Sequence, residues 1–561
     1  MKNKEVADIL YEIADYLEIQ EVEWKPQAYR KAARNIENLS ESIEDIEERG
    51  ELQEIDGVGE NIGDKISEYL KTGKLEYYEE LKRDLPLDID ALTAVEGLGP
   101  KRVKEIYQAI GVTNLDELEE AAEKGEIAEI EGFGEKTQEN ILSHIDMARR
   151  GQERILLGHA YPIVSKLNSY FSESDNFDKI EFVGSFRRKK PTVGDIDILA
   201  TADDPEKAMK DFTQHKDVLE VLESGKTKSS ILISHNVQVD IRIVEGESYG
   251  AALQYFTGSK DHNVSLRTLA SKKNWKLNEY ALFDSKDKKI AGTSEKSIYN
   301  SLKLDFIEPE LREDTGEIEV AAKKELPELI EEGDIKGDLQ MHTKFSDGKN
   351  TVSEMAEKAE SLGLEYILIT DHGESLKIAN GIDEETLDQQ IKEIDKLNQE
   401  LNIEILKGIE TNITSKGLDI SKEKLRELDL VVAALHNKIN SPTEKIIDVF
   451  RNYPVDIFAH PLNRKLNSRE GLDIDLDKIV EVAAEQDVAL EINSQPERLD
   501  LPWRNVKEHK EEVDFVISTD AHSTSELEYM HLGVGQARKG WCSKENILNT
   551  KSLKKLRSYF K

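Results

Sequence analysis

The sequence has very little cysteine and no long apolar segment. Cys542 is the only cysteine among 561 residues. One thiol can form neither an internal disulfide nor a cysteine-based zinc site, so we expect a reducing cytoplasm. No apolar run approaches the length of about 18 residues that a membrane-spanning helix needs. The start, M-K-N-K-E-V-A-D-I-L, also lacks the apolar stretch of a signal peptide. These absences exclude a disulfide scaffold and predict that the protein has no membrane partner.

Basic residues are also scarce relative to acidic ones. The chain carries 76 Lys and Arg against 114 Asp and Glu, a net charge of −38, to which segments 1–150, 151–310 and 311–561 contribute −19, −2 and −17. Because acidic surfaces repel phosphates, the near-neutral middle segment is where charge least opposes contact with a nucleic acid. One hypothesis for the excess is adaptation to a saline cytoplasm, in which a solvated acidic surface keeps the protein in solution.

Glycines in the first 150 residues follow a repeated pattern. Three segments share it: I-D-G-V-G-E-N-I-G-D-K-I (55–66), V-E-G-L-G-P-K-R-V-K-E-I (95–106) and I-E-G-F-G-E-K-T-Q-E-N-I (130–141). Such a turn lets the backbone approach a phosphate while the following helix offers unpaired N–H groups. The candidate contacts to a nucleic-acid backbone are Gly57, Gly59, Gly97 and Gly99. The alternative is that the glycines only form the turn between two helices, and the threefold repetition favours phosphate binding.

Three carboxylates in the middle segment are spaced for metal binding. Residues 180–200 read I-E-F-V-G-S-F-R-R-K-K-P-T-V-G-D-I-D-I-L-A, and a strand pattern, V-Q-V-D-I-R-I-V, covers 237–244. Alternate residues of a strand share a face, so Asp195 and Asp197 point together, and Asp240 joins them from the second strand. Three acids on adjacent strands can hold two metal ions about 4 Å apart for in-line phosphoryl transfer. The alternative, surface acids in a turn, does not account for the Gly-Ser pair and the basic loop beside them.

Strand-like apolar runs recur after residue 332, and most of them end in a residue that can bind a metal. The runs are D-L-Q-M-H (338–342), Y-I-L-I-T-D-H (366–372), I-E-I-L-K-G-I-E (403–410), L-V-V-A-A-L-H (430–436), V-D-I-F-A-H-P (455–461), V-A-L-E-I-N-S (488–494) and F-V-I-S-T-D-A-H (515–522). Helical patterns separate them, which predicts a parallel barrel of seven strands with ligands converging at the carboxyl ends. Histidines joined by carboxylates suit Zn²⁺, Mn²⁺ or Fe²⁺ and generate hydroxide for attack on a phosphoester. Core packing is the alternative, and histidines in register at five strand ends argue against it.

The first glycine repeat lies in a stretch that resembles the lyase domain of family X DNA polymerases, the group that contains polymerase beta. The resemblance rests on Q-A-Y-R-K-A-A-R (27–34) and D-K-I-S-E-Y-L-K-T-G-K-L (64–75), and the repeats themselves resemble helix-hairpin-helix motifs. The resemblance implies that Lys65 forms a Schiff base with an abasic sugar, in a pocket that contains Lys25, Tyr29 and Lys31. An amine nucleophile must be partly deprotonated. The residues alone leave open that Lys65 is an ordinary surface lysine.

The middle segment resembles the palm of the nucleotidyltransferase superfamily, and Y-F-T-G-S-K-D-H-N-V-S-L-R (255–267) closely resembles the nucleotide-binding helix of family X polymerases. The resemblance implies that Asp195, Asp197 and Asp240 are catalytic ligands of Mg²⁺ or Mn²⁺. It assigns the triphosphate to Ser185, Arg188 and Gly194, the sugar pocket to Tyr255, Phe256 and Gly258, the base edge to Asn263 and the template strand to Arg267. Gln238 departs from the pattern, because polymerase beta has an arginine there, near the primer terminus.

The C-terminal part resembles the PHP (polymerase and histidinol phosphatase) domain that many bacterial and archaeal family X polymerases carry. The family motif begins His-x-His, whereas this chain has Gln340-Met341-His342, and an amide oxygen binds metals more weakly than imidazole. The remaining ligand positions match: His342, Asp347, His372, Glu410, His436, His460, Asp520 and His522. The resemblance implies two or three Mn²⁺ or Zn²⁺ ions with Glu410 as a bridge. It also implies 3′→5′ exonuclease activity, with abasic-site endonuclease or 3′-phosphatase activity as extras.

The sequence thus predicts a multidomain chain of the α+β and α/β classes. The expected parts are a lyase-like helical domain (1–85), a helix-hairpin-helix domain (86–150), a nucleotidyltransferase palm (151–245), a thumb (246–310), a linker (311–332) and a barrel-like PHP domain (333–561). The predicted function is a repair-type DNA-directed DNA polymerase that fills short gaps and trims 3′ ends. Its expected partners are gapped or primer–template DNA, deoxynucleoside triphosphates and other repair proteins.

Two alternatives stay open at this stage. A template-independent nucleotidyltransferase would need no contacts to a base edge or a template strand, so the assignments of Asn263 and Arg267 argue against it. A DNA-end scaffold with an inactive or purely structural PHP domain has some support from Gln340 and none from the polymerase motifs.

Overall fold

A computed structural model describes residues 3–20, 22, 24–37, 39, 42–55, 57–93, 95, 98–150 and 154–560. Its contacts divide the chain into two compact units, residues 1–154 and residues 155–561. The described part of the first unit is helical, whereas the second unit combines helices with several sheets. Among the helices that the structure describes, none is both long and apolar enough to cross a membrane.

The first unit packs its helices around one apolar core. They are Asn3–Ile19 (α1), Lys25–Glu37 (α2), Ile43–Glu48 (α3), Glu60–Thr72 (α4), Glu76–Asp84 (α5), Ile89–Thr93 (α6), Pro100–Ile110 (α7), Leu115–Glu123 (α8) and Glu135–Arg150 (α9). Apolar residues recur every three or four positions, as with Ile62 and Ile66 in α4 or Val103 and Ile106 in α7, and these stripes form the core. Helices α4, α7 and α9 each begin directly after the second glycine of a repeat. The repeats are therefore turns that lead into helices.

The palm is a five-stranded sheet against which helices pack. Its strands are Ile155–Leu156 (β1), Lys179–Phe182 (β2), Thr192–Val193 (β3), Ile196–Thr201 (β4), Val218–Ser224 (β5), Lys228–Ile233 (β6) and Val237–Ile243 (β7), and its helices are Leu157–Ser172 (α10), Gly184–Arg187 (α11) and Pro205–Thr213 (α12). The sheet order is β2-β4-β7-β6-β5, while β1 and β3 form a separate pair. Buried and partly exposed residues alternate along β7, so its polar side chains share one face.

The thumb combines four helices with a small antiparallel sheet. The helices are Tyr249–Thr257 (α13), Lys260–Ser271 (α14), Glu295–Leu302 (α15) and Glu317–Lys323 (α16), and the strands are Lys276–Leu277 (β8), Leu282–Phe283 (β9) and Lys289–Ala291 (β10). Its core contains Leu266, Ile298 and Leu302. Helices α13 and α14 meet at Gly258, which has a φ of +72° that favours glycine.

The C-terminal domain is a barrel of parallel strands surrounded by helices. The strands are Gly337–Asp338 (β11), Tyr366–Ile369 (β12), Glu404–Lys407 (β13), Glu410–Thr414 (β14), Gly417–Leu418 (β15), Val432–Ala434 (β16), Ile457–Phe458 (β17), Ala489–Asn493 (β18) and Phe515–Ser518 (β19). The helices are Val352–Ser361 (α17), Glu384–Leu397 (α18), Lys422–Leu425 (α19), Pro442–Asn452 (α20), Leu476–Glu485 (α21), Trp503–His509 (α22), Met530–Lys539 (α23) and Leu553–Tyr559 (α24).

Parallel pairing closes this barrel. It orders β11-β12-β13 in one sheet and β14-β16-β17-β18-β19 in another, while β15 pairs antiparallel with β14. Parallel bridges from His372 to Glu410 and from Met341 to Ala521 join the two sheets at both seams. Because β13 and β14 are two parts of one strand position, the barrel has the seven positions that the sequence predicted.

The segment 311–332, expected as a linker, joins the thumb to the barrel but is packed between them. Arg312 and Glu317 are fully buried. Leu329 belongs to the thumb core, and Ile330 belongs to a core of the barrel. Arg312 and Glu317 form buried ion pairs with Glu295 and His262 of the thumb, whereas most other charged side chains of the segment are exposed. The domain limits stay predictions.

Replacing Glu295 with glutamine should destabilise the thumb. Glu295 accepts hydrogen bonds from Arg312 Nη1 at 2.6 Å and Arg187 Nη2 at 2.8 Å, and its side chain is 6% exposed. The loss leaves buried guanidinium charge without a carboxylate, which costs about 3 kcal/mol. The measurement is urea unfolding followed by tryptophan fluorescence. Glu247→Gln, at an 85% exposed carboxylate, is the matched control, and equal midpoints for both variants would contradict the prediction.

Candidate active sites

The three acids of the palm lie together where β4 and β7 run side by side. Asp197 lies directly opposite Asp240 in the parallel register, and Asp195 precedes β4 by one residue. Oxygen atoms of the three carboxylates lie within 4.8 Å of one another. Gln238 Nε2 donates a hydrogen bond to Asp240 Oδ1 at 2.8 Å, so the side chain at this departing position contacts the acid without adding a positive charge.

Asp197 is held against the backbone of Gly184. The φ of Gly184 is +60°, and an added Cβ would lie 2.1 Å from Asp197 Oδ2, so a larger residue here would be strained and would displace Asp197. Burial, together with the charges of Asp195 and Asp240, raises the pKa of Asp197 to about 8. A divalent cation would relieve this repulsion, and carboxylate oxygens are the ligands that Mg²⁺ and Mn²⁺ prefer. The donor set therefore fits a divalent metal site.

The residues assigned to the triphosphate and the sugar meet near Gly258. Arg188 Nη1 donates a hydrogen bond to Thr257 O, and an added Cβ at Gly258 would lie 2.9 Å from the same nitrogen. The rings of Tyr255 and Phe256 lie on α13 with their centroids 5.1 Å apart. Two further assigned residues flank the acids: Ser185 lies in α11, which begins at Gly184, and Gly194 directly precedes Asp195.

The residues assigned to the base and the template lie on α14. Asn263 is buried, its Nδ2 donates to Tyr255 O at 2.7 Å, and its Oδ1 accepts from Gln254 Nε2 at 2.6 Å. These bonds fix the amide and occupy one of its two N–H groups, because a side-chain amide has two donors. Arg267 is exposed on the same helix, and its Nε donates to Asn263 O at 3.3 Å.

Both oxygens of Glu410 face histidines at the carboxyl end of the barrel. Oε1 lies 3.3 Å from His436 Nε2 and 3.2 Å from His460 Nε2. Oε2 lies 2.9 Å from His372 Nδ1 and 3.5 Å from His342 Nε2. Within the described residues neither oxygen has a hydrogen-bond partner of good geometry, although the carboxylate is fully buried. A buried carboxylate left unsatisfied among imidazole nitrogens fits divalent metal ions.

The other predicted ligands join the same cluster. Asp347 Oδ1 lies 3.7 Å from His372 Nε2 and 3.5 Å from His522 Nε2, and Asp520 Oδ1 lies 3.0 Å from His342 Nε2. The φ of Asp520 is 51°, a value that is strained for a residue with a side chain and typical of functional positions. The barrel thus brings together all the histidines and acids predicted as ligands.

Gln340 lies two residues before His342 and is fully buried. Neither Oε1 nor Nε2 of its amide has a hydrogen-bond partner in the part of the chain that the structure describes. Leaving a buried amide unpaired costs about 1–3 kcal/mol. A metal ion would satisfy the oxygen, which favours Gln340 as a ligand.

Lys65, the predicted lyase nucleophile, lies on α4, and the charge of Lys25 is close enough to act on it. Lys65 Nζ donates to Asn61 Oδ1 at 2.6 Å and lies 4.7 Å from the ring centroid of Tyr77. Partial burial and the charge of Lys25 lower the pKa of Lys65, which favours the neutral amine. Burial and the same Tyr77 raise the pKa of Tyr29.

The glycine turns of the first unit offer backbone N–H groups, rather than side chains, for contact with a phosphate. Gly59 and Gly99 are the extended residues directly before α4 and α7. Gly57 has a φ of +86°, and an added Cβ would lie 3.0 Å from Lys31 Cγ, so this turn contacts the lyase pocket. Gly97 lies outside the described residues. The first N–H groups of both helices have no partner within the helix and can receive a phosphate.

Comparisons with known proteins match family models to successive parts of the chain. Family models match the chain as Helix-hairpin-helix domain (1–75), SAM-like Helix-hairpin-helix tandem (89–146), DNA polymerase beta palm (162–254), DNA polymerase beta thumb (252–313) and PHP domain (338–495). A Bacillus subtilis protein named "DNA polymerase/3'-5' exonuclease PolX" is 36% identical over 572 aligned residues, which cover 100% of both chains. The chain belongs to the family X DNA polymerases that carry a PHP domain.

Two other relatives match parts of this family X polymerase. DNA polymerase lambda of Rattus norvegicus is 22% identical over 55% of this chain and 56% of its own length. A "Probable phosphatase" of Acetivibrio thermocellus is 36% identical over 26% of this chain and 59% of its own length. The chain is therefore similar in sequence both to a protein named as a DNA polymerase and to a protein named as a phosphatase.

Sequence reasoning missed the polar side chains that support the PHP ligands. Glu491 is fully buried, and its Oε2 accepts from the backbone N–H of His460 at 2.7 Å and from Asn493 Nδ2 at 3.1 Å. Burial and the charge of Asp520 raise the pKa of Glu491 well above its usual value. Asn493 also donates to Asp520 Oδ2 at 3.0 Å, and Arg498 Nε lies 3.7 Å from the same oxygen. The available signal was the polar pair Glu491 and Asn493 inside a strand of buried residues.

Replacing Gly184 with alanine should lower primer extension by about 100-fold. The new Cβ would displace Asp197, and small misplacements of catalytic groups have effects of about this size. Gly246→Ala is the matched control, because nothing lies within 4 Å of its added Cβ. Steady-state extension of a labelled primer is the measurement, together with the Kd for the DNA. If Gly184→Ala extends the primer as fast as the unchanged enzyme, Asp197 does not need the position that it takes beside Gly184.

Replacing Gln340 with histidine should tighten metal binding in the PHP domain. Imidazole is a stronger ligand than an amide oxygen, so we expect the half-saturating Mn²⁺ concentration for 3′→5′ exonuclease activity to fall about tenfold. Gln340→Leu, which keeps the volume but removes the oxygen, should raise that concentration. If both variants have the same half-saturating Mn²⁺ concentration as the unchanged enzyme, residue 340 is not a metal ligand.

Proposed function

We propose that this chain fills short gaps in DNA and removes nucleotides from 3′ ends at two separate active sites. It is a DNA-directed DNA polymerase with a PHP domain that acts as a 3′→5′ exonuclease. The observation that carries the proposal is the presence of two ligand clusters in one chain, three palm carboxylates and a barrel cluster centred on Glu410. Gapped DNA as the preferred substrate and other repair proteins as partners belong to the proposal. So does a cytoplasmic location, which the single buried thiol of Cys542 supports.

In the palm, Asp195, Asp197 and Asp240 would hold Mg²⁺ or Mn²⁺. When bound, such ions stabilise the charge that develops during phosphoryl transfer. Gln238 orients Asp240 through its amide, so Asp240 is the candidate to accept the proton of the primer 3′-hydroxyl. Ser185, Arg188 and Gly194 would bind the triphosphate.

The nucleotide itself would be oriented by the thumb. Tyr255, Phe256 and Gly258 would limit the space for the sugar, since they lie on one turn at the end of α13. The buried amide of Asn263 would contact the base edge with its remaining N–H group, and the exposed Arg267 would contact the template strand. These contacts favour a template-dependent enzyme over a template-independent nucleotidyltransferase.

In the PHP domain, the cluster around Glu410 would hold two or three Mn²⁺ or Zn²⁺ ions. When bound, these ions supply hydroxide for attack on a phosphoester. Glu491 and Asn493 would fix the orientations of His460 and Asp520, because hydrogen bonds from supporting residues set ligand geometry. The same centre could cleave at abasic sites or remove 3′-phosphates, and the match to the Acetivibrio thermocellus protein favours the phosphatase activity.

Two single variants should separate the activities on a one-nucleotide gapped duplex with a labelled primer and Mn²⁺. Asp197→Ala should abolish extension and leave primer shortening, whereas His372→Ala should abolish shortening and leave extension. The two sets of ligands share no residue, so each loss should exceed about 100-fold in one activity only.

The outcomes also decide between the proposed function and a DNA-end scaffold. Gel-shift binding of the same duplex by both variants is the control for folding. Binding without either activity in the unchanged chain would favour the scaffold, and loss of both activities in either variant would contradict two independent sites.

We propose a lyase activity for the first unit on the basis of Lys65. Replacing it with alanine should abolish borohydride trapping of a DNA with a 5′ abasic sugar, because the Schiff base forms on this amine. Lys71→Ala is the matched control, since Lys71 lies about one and two-thirds turns along the same helix and pairs with Glu47. Equal trapping by both variants would assign the covalent bond to another amine.

A further inference from the structure

Helix α23 of the PHP domain reaches the loop of the palm that contains Arg188. Lys539, near its end, is fully buried. Its Nζ donates to Arg188 O at 3.0 Å, to Glu310 O at 3.2 Å and to Glu313 Oε1 at 2.7 Å. The same helix contributes Gln536, whose Nε2 donates to Lys189 O at 3.2 Å. Two successive carbonyl groups of the palm loop are thus held by side chains of the PHP domain.

Glu313 connects Lys539 to the Arg188 side chain. Arg188 Nε lies 3.2 Å from Glu313 Oε1, and Lys190 Nζ lies 3.7 Å from Oε2. Burial alone would raise the pKa of Glu313, but the charges of Lys539, Lys190 and Arg188 hold it at about 2. Burial lowers the pKa of Lys539 to about 8, which leaves it mostly charged at neutral pH. The contact is therefore an ionised, desolvated cluster with a defined geometry.

The other end of the Arg188 guanidinium points to the nucleotide pocket. Its Nη1 donates to Thr257 O and lies 2.9 Å from the position that a Cβ on Gly258 would take. A free arginine side chain has about 2 kcal/mol of rotamer entropy, which binding of a phosphate would have to overcome. Glu313 restricts these rotamers before the nucleotide arrives, and such preorganisation improves binding.

We propose that the PHP domain has a second function in nucleotide addition, in which Lys539, acting through Glu313, is a positioning residue that aims Arg188 at the triphosphate. This inference rests on the proposed role of Arg188 in binding the triphosphate. It is independent of the PHP metal cluster, because none of the residues in the contact is a predicted ligand. The PHP domain is then part of the polymerase site whether or not it hydrolyses DNA.

The test compares Lys539→Met with Lys507→Met in the full chain. Lys539 Nζ lies 5.0 Å from the ring centroid of Trp503, and Lys507, also in the PHP domain, likewise packs on a tryptophan, Trp541, and donates to a carbonyl, Thr315 O. We expect Lys539→Met to raise the KM for deoxynucleoside triphosphates about tenfold, with kcat, exonuclease rate and DNA Kd changed less than twofold. Lys507→Met should leave all four values within twofold. Unchanged KM in the Lys539 variant, or equal rises in both variants, overturns the proposal.

A double-mutant cycle with Glu313→Gln distinguishes positioning from general loss of stability. Glu313→Gln should raise KM to the same extent, and the double variant should show no further rise, because both changes break one connection. Additive rises overturn the proposal. If Lys539→Met does not fold, as loss of its exonuclease activity would show, the KM of Glu313→Gln decides alone.

Failure of this inference and failure of the proposed function are distinguishable. If the chain extends primers but neither Lys539→Met nor Glu313→Gln changes the KM, the chain is a polymerase in which this contact does not position Arg188. A chain that extends no primer at all contradicts the proposed function itself.

Discussion

Repulsion between neighbouring carboxylates is the constraint on which both catalytic domains depend. In the palm, parallel strands hold Asp195, Asp197 and Asp240 within 4.8 Å of one another. In the barrel, Glu491 is fully buried, and the nearby charge of Asp520 helps to raise its pKa well above the usual value. Such groups are costly to bring together as anions, so the surrounding sheets must hold them in place. Divalent cations reverse the sign of this interaction, which links metal binding to the stability of each site.

Buried ion pairs also connect the domains of the second unit. Glu295 of the thumb pairs with Arg187 of the palm, and Glu313 pairs with Lys539 of the PHP domain. Removing these charges from water costs several kcal/mol for each ion, and the cost is recovered only where the geometry is fixed. Palm, thumb and PHP domain therefore share buried charge and pack as one unit. The acidic first unit is predicted to contact DNA differently, through the first backbone N–H groups of α4 and α7, and these donors do not depend on net charge.

Local sequence determined the parts of the sites that depend on local geometry. Alternation along a strand puts Asp195 and Asp197 on one face, and the Gly-x-Gly pattern ends directly before α4 and α7. The barrel was predictable because each ligand follows its strand by a few residues, and parallel strands bring their carboxyl ends together. The departures at Gln238 and Gln340 were also visible, although their hydrogen bonds were not.

Only the tertiary structure decided which distant side chains meet. It paired Glu491 with His460 and Asn493 with Asp520, ligands that follow two other strands, and it buried Glu313 between Arg188 and Lys539. The charged segment that includes Glu313 was predicted to be a linker, because charge patterns along a chain do not reveal partners far away in sequence. Strand and helix periods specify which way a side chain faces, whereas a contact depends on how separate elements pack. The sequence by itself therefore determined the chemistry of the two sites, and the packing of palm, thumb and barrel decided how they are connected.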